Sequence, residues 1–250
     1  MIHVGTINVH EWSNQLDKST INDLILLLKQ SNLDVVGIQE TDERTISYVV
    51  SQLNEYNYIY HNKTALLSKH PIKKHIHKHN KERFVSGKII LPNQSIFVTC
   101  VHLDYKREPT RIKQMMHIMD DINHLINKYP SIILGDFNAL TKKDYSQKEW
   151  EDIKAIRKYN KWELPITDLT FRITLQNESG WKLFDTKQLA SMSLGPLATS
   201  RFNTRIDYIY VNKILADLWN VYQLKHTVIM PFLTDHNLVT AMFVPNKILD

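Results

Sequence analysis

Side chains that can bind metal ions or move protons stand where the sequence predicts that buried strands end. In chain order they are Asn8, Glu40, His102, the pair Asp136 and Asn138, Asp207, and the pair Asp235 and His236. α/β folds usually place their sites at such strand ends. Carboxylates with amides and imidazoles, and no cysteine, form an oxygen-rich ligand set that suits Mg²⁺ or Mn²⁺ better than a structural zinc ion. The set indicates metal-assisted hydrolysis of phosphoesters, which needs a Lewis acid, a group that activates water and groups that neutralise developing charge.

Each of these positions also has a purely structural interpretation. The run from Gly135 to Asn138 is typical of a tight turn. Glu40 could cap the helix that follows it, and Asp235 with His236 could form an ordinary loop. Asp207 is harder to explain in this way, because it lies in the mostly apolar run RIDYIYV, where burial without a partner costs several kcal/mol or forces protonation. The combination of positions, more than any one of them, favours a catalytic site.

A strand, a helix and a second strand open the chain. Residues 2–8 alternate as a strand that enters a core. Thr20, with Asp23 three residues later, predicts a capping box before an apolar helix that ends near Asn32. Residues 34–39 follow as a buried strand. This order indicates an α/β layered fold.

The middle of the chain mixes helices with short strands. Residues 43–56 predict a second helix, and β-like runs then lead to His102 through connections that are too short for crossover helices, so antiparallel neighbours are expected. A long amphipathic helix is predicted over residues 108–128, where the methionines are interpreted as core packing. Further strands are expected at residues 131–135 and 205–211 and in two runs near the end of the chain.

Residues 140–197 show the weakest pattern. Within them, residues 146–159 look helical and residues 168–175 look extended. Three tryptophans lie in this region: Trp150, Trp162 and Trp181. An exposed tryptophan can stack on a nucleic acid base, but a core position is expected for at least two of the three.

The composition is that of a globular protein. The 250 residues are 43% hydrophobic and 23% charged, which excludes disordered and fibrous classes and favours one domain over residues 1–250. The single cysteine, Cys100, excludes a disulfide framework and a cysteine-built zinc site. No apolar run approaches the roughly 20 residues of a membrane span. The amino terminus resembles no signal peptide, so an intracellular protein of the cytoplasm or nucleus is expected.

Positive charge is concentrated in one segment. The formal net charge of +5 is compatible with phosphate-bearing partners without requiring them. Residues 69–83 read KHPIKKHIHKHNKER, and on a strand His75, His77 and His79 would share one face. A solvated or phosphate-facing strand is favoured here over a metal site. This segment is a candidate for gripping a nucleic acid backbone, with a plain basic surface as the alternative.

Seven motifs together resemble a known family. They are TINVH, DVVGIQE, TALLSKHPI, VHLDYKREPTRIKQ, IILGDFNA, RIDYIYV and TDHNLV, in that order along residues 2–244. This set resembles the endonuclease/exonuclease/phosphatase superfamily, whose best-known members are the pancreatic deoxyribonuclease and the abasic-site endonucleases. The resemblance implies an α/β (α+β) fold, a four-layer αββα sandwich of two packed mixed sheets with helices outside.

The resemblance also implies roles for individual residues. Asn8, Glu40 and Asp235 match positions of the metal site, with Glu40 as the direct ligand of Mg²⁺ and Mn²⁺ as a substitute. Asp136 matches the aspartate that orients or deprotonates the attacking water. Asn138 matches the amide that holds the phosphate.

The remaining matches concern the phosphate and the leaving group. His236 matches the histidine that contacts the scissile phosphate, and Asp207 the carboxylate that orients this histidine. His102 matches a position that contacts phosphate or gives a proton to the leaving oxygen. His10, Arg83 and Arg111 are expected to support substrate binding.

Two positions depart from the abasic-site endonucleases. His10 stands where they carry aspartate, which weakens that particular activity more than it weakens catalysis. Lys63 and Thr64 replace a Gly-Asn pair, so a phosphate contact by that asparagine is lost or passes to Asn62.

The expected function is that of a Mg²⁺-dependent phosphodiesterase, a nuclease acting on DNA or RNA. The alternatives are a tyrosyl-DNA phosphodiesterase, a phosphomonoesterase, a lipid phosphodiesterase and an inactive binding module. The last is disfavoured because Glu40, Asp136, Asn138, Asp207 and His236 are all intact. A monomer is expected from the family, whereas DNA versus RNA and endo- versus exonucleolytic action stay open.

Overall fold

Two β-sheets pack face to face and carry helices on their outer faces. The computed structural model describes residues 1–14, 16, 18–176 and 180–246. The strands are β1 (Ile2–Asn8), β2 (Val35–Gln39), β3 (Asn57–His61), β4 (Thr64–Ser68), β5 (Ile72–Lys74), β6 (Phe84–Ile90), β7 (Ser95–His102), β8 (Ser131–Asp136), β9 (Phe184–Asp185), β10 (Met192–Leu194), β11 (Asp207–Val211), β12 (Trp219–Thr227) and β13 (Leu238–Pro245). The helices are α1 (Ile21–Ser31), α2 (Glu43–Leu53), α3 (Glu108–Ile126), α4 (Gln147–Tyr159), α5 (Asp168–Thr174), α6 (Thr186–Leu189) and α7 (Lys213–Leu218).

Both sheets are mixed. The seven-stranded sheet has the order β10-β12-β13-β1-β2-β4-β3, and the six-stranded sheet has the order β5-β6-β7-β8-β11-β9. The central pairs β1/β2 and β7/β8 are parallel, while their outer neighbours β13, β4, β6 and β11 run antiparallel to them. The four-layer αββα sandwich expected from the sequence is confirmed.

Three apolar clusters hold the layers together. The cluster between the sheets includes Val4, Cys100 and Leu134, all fully buried. The helices α1 and α2 cover the outer face of the larger sheet, and α3 covers the smaller one. Met115 and Met119 of α3 are buried there, as expected for core residues, whereas the same expectation was wrong for Met116, which is exposed. Among the described residues, no helix combines the length and the apolar character needed to cross a membrane.

Three local expectations were wrong. The helix α1 begins after Thr20 as expected, but without a capping box, because the Thr20 hydroxyl donates to the carbonyl of Leu233 instead (2.6 Å). The expected extended run at residues 168–175 forms the short helix α5, whose Leu169 and Ile173 face the core. Only Ile72–Lys74 of the basic segment is a strand, so the three histidines do not share a strand face.

Gly135 permits the closest approach of β7 and β8. Its φ of +141° lies in a region that side chains rarely adopt, and a Cβ there would stand 2.0 Å from the carbonyl oxygen of Val101. Val101 pairs with Gly135 and His102 with Asp136 in the parallel ladder. The glycine therefore lets two functional side chains lie side by side.

We expect Gly135→Ala to destabilise the fold by about 2 kcal/mol or more, since it adds a backbone clash to an unfavourable φ. Gly87→Ala is a suitable control, because its Cβ would meet only the flexible ends of Ile59 and Ile72. Urea denaturation of the two variants measures the difference. Equal losses of stability would contradict this account of Gly135.

Candidate active site

The functional side chains meet at one edge of the sandwich. Asn8 and Glu40 lie at the ends of the parallel strands β1 and β2, and His102 and Asp136 end the parallel strands β7 and β8. Because β11 runs antiparallel to β8, its first residue, Asp207, pairs with Asp136 at the same edge. Asp235 and His236 are separated by one residue, Asn237, from the start of β13, which runs antiparallel to β1.

His236 forms a charged pair with Asp207. Its Nδ1 donates to Asp207 Oδ2 (2.9 Å), and its Nε2 lies 3.8 Å from Asp136 Oδ2. Burial alone would lower the pKa of His236, but the carboxylates, above all Asp207, raise it to about 10. His236 is therefore an imidazolium at neutral pH. The partner that the sequence analysis required for a buried Asp207 is this histidine.

Asp136 lies next to this pair in a buried position. Burial raises the pKa of Asp136 to about 7, and the neighbouring charge of Asp207 adds to the shift, while His236 opposes it. The backbone N–H of Asn138 donates to Asp136 Oδ1 (2.8 Å), and Asn8 Nδ2 donates to Oδ2 (3.1 Å). A carboxyl that titrates near neutrality is suited to accept a proton from water.

Asn8 joins the two sheets. Besides Asp136, its amide nitrogen donates to Glu40 Oε1 (3.0 Å), while its oxygen accepts from the backbone N–H of His10 (3.0 Å). The same amide thus orients a carboxylate of each sheet. Asn138 plays a similar local part, because one of its amide N–H groups donates to the carbonyl of Leu103 (3.0 Å).

His102 is held uncharged. Its Nε2 lies 3.6 Å from Glu40 Oε1 and 3.8 Å from Asp136 Oδ2. Burial lowers the pKa of His102 to about 3, with Arg83 and His236 contributing in the same direction. A neutral imidazole beside a protonated one provides a proton acceptor and a proton donor in the same site.

The ligand atoms at the mouth of the site fit a divalent cation. Asp235 Oδ1 is buried and has no hydrogen-bond partner among the described residues. His10 Nδ1 lies 3.7 Å from this oxygen and 3.7 Å from Glu40 Oε2. Glu40 has a φ of +56°, a strained conformation for a non-glycine residue that is common at functional sites. Two carboxylates facing one cleft are hard ligands of the kind that Mg²⁺ and Mn²⁺ prefer.

A cleft of about 800 Å³ opens above these residues. Basic side chains line it: Lys63, Arg83, Lys106, Arg107, Arg157, Lys161 and Arg201. Trp162 and Phe202 also line it and contact each other edge to face at a centroid distance of 4.8 Å. The cleft is thus acidic at its floor and positively charged around it.

Most of the predicted site residues come together at the cleft, but Arg111 does not. Asn8 and Asp207 lie behind the floor and hydrogen-bond to it, and the other expected catalytic and metal residues, with His10 and Arg83, line the cleft. Arg111 is 3% exposed and pairs with Glu108 (2.7 Å) and the carbonyl of Asp104 (2.9 Å). Its guanidinium anchors the loop after β7, so Arg111 can support the site only indirectly, through this loop.

The expectations about the tryptophans and Asn62 had different outcomes. Trp150 is buried and Trp181 packs partly against the core, as expected for two of the three, whereas Trp162 is 39% exposed at the cleft. The side-chain amide of Asn62 donates to the carbonyls of Lys81 and Glu82. It therefore anchors a loop and is not free to contact a phosphate. Lys63 does line the cleft, where it pairs with Glu11 (2.7 Å).

Three contributors were missed by the sequence analysis. The Thr199 hydroxyl accepts from the backbone N–H groups of Ile206 and Asp207, Arg201 Nε lies 3.7 Å from Asp235 Oδ2, and Phe202 lines the cleft. All three precede the RIDYIYV strand in a stretch without clear periodicity. The only signal in the sequence was the basic and aromatic pair Arg201 and Phe202, which stands shortly before the RIDYIYV motif.

A family model described as the Endonuclease/Exonuclease/phosphatase family matches residues 6–236. The chain belongs to this family. The match spans every residue assigned to the site, from Asn8 to His236. The family name covers enzymes that hydrolyse phosphoester bonds, which supports a hydrolase. No curated protein sequence matches the chain.

Solved structures share the fold over nearly the full length. An endonuclease/exonuclease/phosphatase from Bacteroides vulgatus superposes with a TM-score of 0.72 at 17% identity, covering 98% of this chain and 99% of that one. The 3′ phosphatase NExo from Neisseria, bound to product DNA hairpin, gives 0.71 at 15%, covering 98% and 100%. A mannosyl-6-phosphatase from Bacteroides thetaiotaomicron gives 0.69 at 14%, covering 98% and 100%. At such identities the likeness establishes the fold and leaves the substrate to the site.

The Asp207–His236 pair predicts a pH dependence of stability. Since the folded pKa of His236 is raised to about 10 from 6.5, the charged pair stabilises the fold fully below pH 6.5, and this contribution is lost as the pH rises through 10. In EDTA, we expect the unfolding free energy of the wild type to fall more steeply from pH 6.5 to 10 than that of His236→Gln. Urea denaturation across this range tests the difference, and parallel curves would contradict the pairing.

Proposed function

We propose that this protein is a divalent-metal-dependent phosphoester hydrolase that acts on nucleic acid. The observation that carries the proposal is the Asp207–His236 pair beside Asp136, with the carboxylates of Glu40 and Asp235 in the same basic cleft. These are the groups that hydrolysis of a phosphoester requires: a proton acceptor for water, a cation for the phosphate oxygens and ligands for a metal ion.

The side chains divide the chemistry between them. Asp136, fixed by Asn8 and Asn138, orients a water molecule and accepts its proton. The imidazolium of His236 points Nε2 toward the same space and donates to a phosphate oxygen, while Asp207 fixes its tautomer. A cation held by Glu40 and Asp235 would supply Lewis-acid stabilisation of the phosphate charge. Neutral His102 lies within reach of Asp136 and Glu40, so it can relay the proton that Asp136 takes from water to the leaving oxygen.

The upper part of the cleft supports a nucleic acid substrate. Arg157 lies over Trp162 (5.9 Å to the ring centroid) and Arg201 over Phe202 (4.9 Å). An exposed aromatic pair flanked by arginines offers a surface for a base and charges for the neighbouring phosphates. A small sugar phosphate has no planar ring to use this surface, so the proposal favours an oligonucleotide.

Phosphomonoester cleavage is the second candidate. Two of the structural neighbours are phosphatases, one of them bound to a DNA hairpin. Cleavage of a terminal phosphate would use the same floor and the same aromatic surface, so the bond that is cut distinguishes the two candidates, not the residues involved.

We expect metal-dependent turnover on one class of a phosphoester panel, and its loss in Glu40→Ala. The panel holds abasic and intact duplex DNA, single-stranded DNA, RNA, 3′-phosphorylated and 5′-tyrosyl oligonucleotides, an inositol phosphate, mannose 6-phosphate and sphingomyelin, each with Mg²⁺, Mn²⁺ or EDTA. Product analysis separates phosphodiester from phosphomonoester cleavage. Turnover that survives EDTA, or that persists in Glu40→Ala, would contradict the metal assignment. Absence of turnover on every substrate by folded protein would reject the hydrolase.

Trp162→Ala tests the choice of substrate. Since base stacking is worth about 1–3 kcal/mol, we expect KM for an oligonucleotide to rise about 5- to 150-fold with little change in kcat. Hydrolysis of a small phosphoester without a base should be unaffected. Trp181→Ala is the matched control, because Trp181 lies outside the cleft lining among the described residues. An equal loss on both kinds of substrate would mean that Trp162 supports the fold and not the base.

A further inference from the structure

A second cluster of metal-ligating side chains lies on the helix α3, away from the cleft. The loop of residues 75–83 packs against this helix through the buried Asp121, whose carboxylate accepts from the backbone N–H groups of Lys78 (3.0 Å) and His79 (3.1 Å). These two bonds hold His79 directly over the helix. The histidine is therefore placed by the backbone, independently of what its ring contacts.

The ring of His79 points at the neighbouring carboxylate. His79 Nε2 lies 3.1 Å from Asp120 Oδ2, and a ligand atom of each of His79, Asp120 and Asp121 lies within 4.8 Å of the other two. Two atoms that bind one tetrahedral zinc ion at about 2.1 Å stand about 3.4 Å apart. The separation of the His79 and Asp120 ligand atoms is thus close to the one that a shared ion requires.

A neighbouring histidine, His117, packs against the cluster. The ring of His117 stacks on that of His79 at a centroid distance of 4.3 Å, nearly parallel at 5°. Its Nδ1 donates to Glu82 Oε1 (2.8 Å), which leaves Nε2 as the unprotonated nitrogen in the neutral ring. A carboxylate that fixes the tautomer of a histidine in this way is the usual second partner of a metal-binding histidine.

We propose that His79, Asp120 and Asp121 form a zinc site, with His117 beside it, that clamps the loop of residues 75–83 onto α3. One imidazole with two carboxylates suits Zn²⁺, and imidazole also suits Cu²⁺ and Ni²⁺, whereas Mg²⁺ prefers an all-oxygen shell. None of the three ligands lines the cleft around His236 in the part of the chain that the structure describes. The site is therefore separate from the catalytic metal and does not depend on the proposed function.

Two existing contacts must give way when the ion binds. The ion replaces the proton that His79 Nε2 shares with Asp120 Oδ2, and the contact of Lys78 with the same oxygen opens. Lys78 Nζ lies 3.8 Å from Asp120 Oδ2, with both side chains largely exposed (72% and 61%). An exposed ion pair of this length is weak, so the lysine can turn into solvent. The hydrogen bonds to Asp121 stay in place, since each carboxylate oxygen has a second lone pair.

The experiment counts zinc equivalents by equilibrium dialysis and metal analysis. The wild type, His79→Gln, Asp120→Asn and the control His124→Ala are compared. His124 lies one helical turn beyond Asp120, four residues along α3, and is not among the three ligands. Any zinc in the catalytic cleft contributes equally to all four proteins. Asp121 is left intact because it anchors the loop.

We expect His79→Gln and Asp120→Asn to lose one zinc equivalent, or to bind it at least about tenfold more weakly, and His124→Ala to keep it. Zinc should also slow tryptic cleavage after Lys78 and Lys81 in the wild type and in His124→Ala, but not in the other two variants. Equal zinc content in all four proteins would overturn the proposal. So would a loss in His124→Ala as large as that in His79→Gln, because it would point to diffuse binding by the histidine-rich surface.

Discussion

The side-chain amide of Asn8 donates to a carboxylate of each sheet, Glu40 on one side and Asp136 on the other. This contact is available only because two parallel strand pairs, one in each sheet, end at the same edge of the sandwich. A single amide nitrogen with two N–H groups can satisfy both acceptors at once. The relative position of the Glu40 and Asp136 carboxylates therefore depends on the packing of the two sheets, and the rest of the site is arranged around it.

This arrangement concentrates negative charge in a buried position. Asp136 and Asp207 are buried side by side at the ends of paired strands, and His236 brings a positive charge between them. As a consequence, the pKa of Asp136 rises to about 7 and that of His236 rises to about 10. His102 shifts the other way, because burial lowers its pKa and the charges of Arg83 and His236 act in the same direction. Groups of one chemical type thereby acquire different roles in the same cleft.

The surroundings of the cleft come from segments that belong to no sheet. Arg111 lies under the loop after β7 and holds it through Glu108 and the carbonyl of Asp104, so it shapes the wall without touching the opening. Trp162 and Phe202 reach the same wall from positions forty residues apart in the chain. In a fold shared by nucleases and phosphatases, such loop residues separate one substrate from another, while the floor supplies the common chemistry.

The sequence by itself determined the strands, the order of the functional residues along the chain and the family. It could do so because buried strands and strand-end motifs are local patterns. It predicted the four-layer fold and nearly all of the cleft floor. Only the tertiary structure decided that the Thr20 hydroxyl makes no capping hydrogen bond, that residues 168–174 are helical, and that Arg111 is an internal anchor. It also placed Trp162 at the cleft and Trp150 in the core. These outcomes depend on partners far away in the chain, and a hydroxyl, a guanidinium or an indole has no local signal that distinguishes a buried partner from an open cleft.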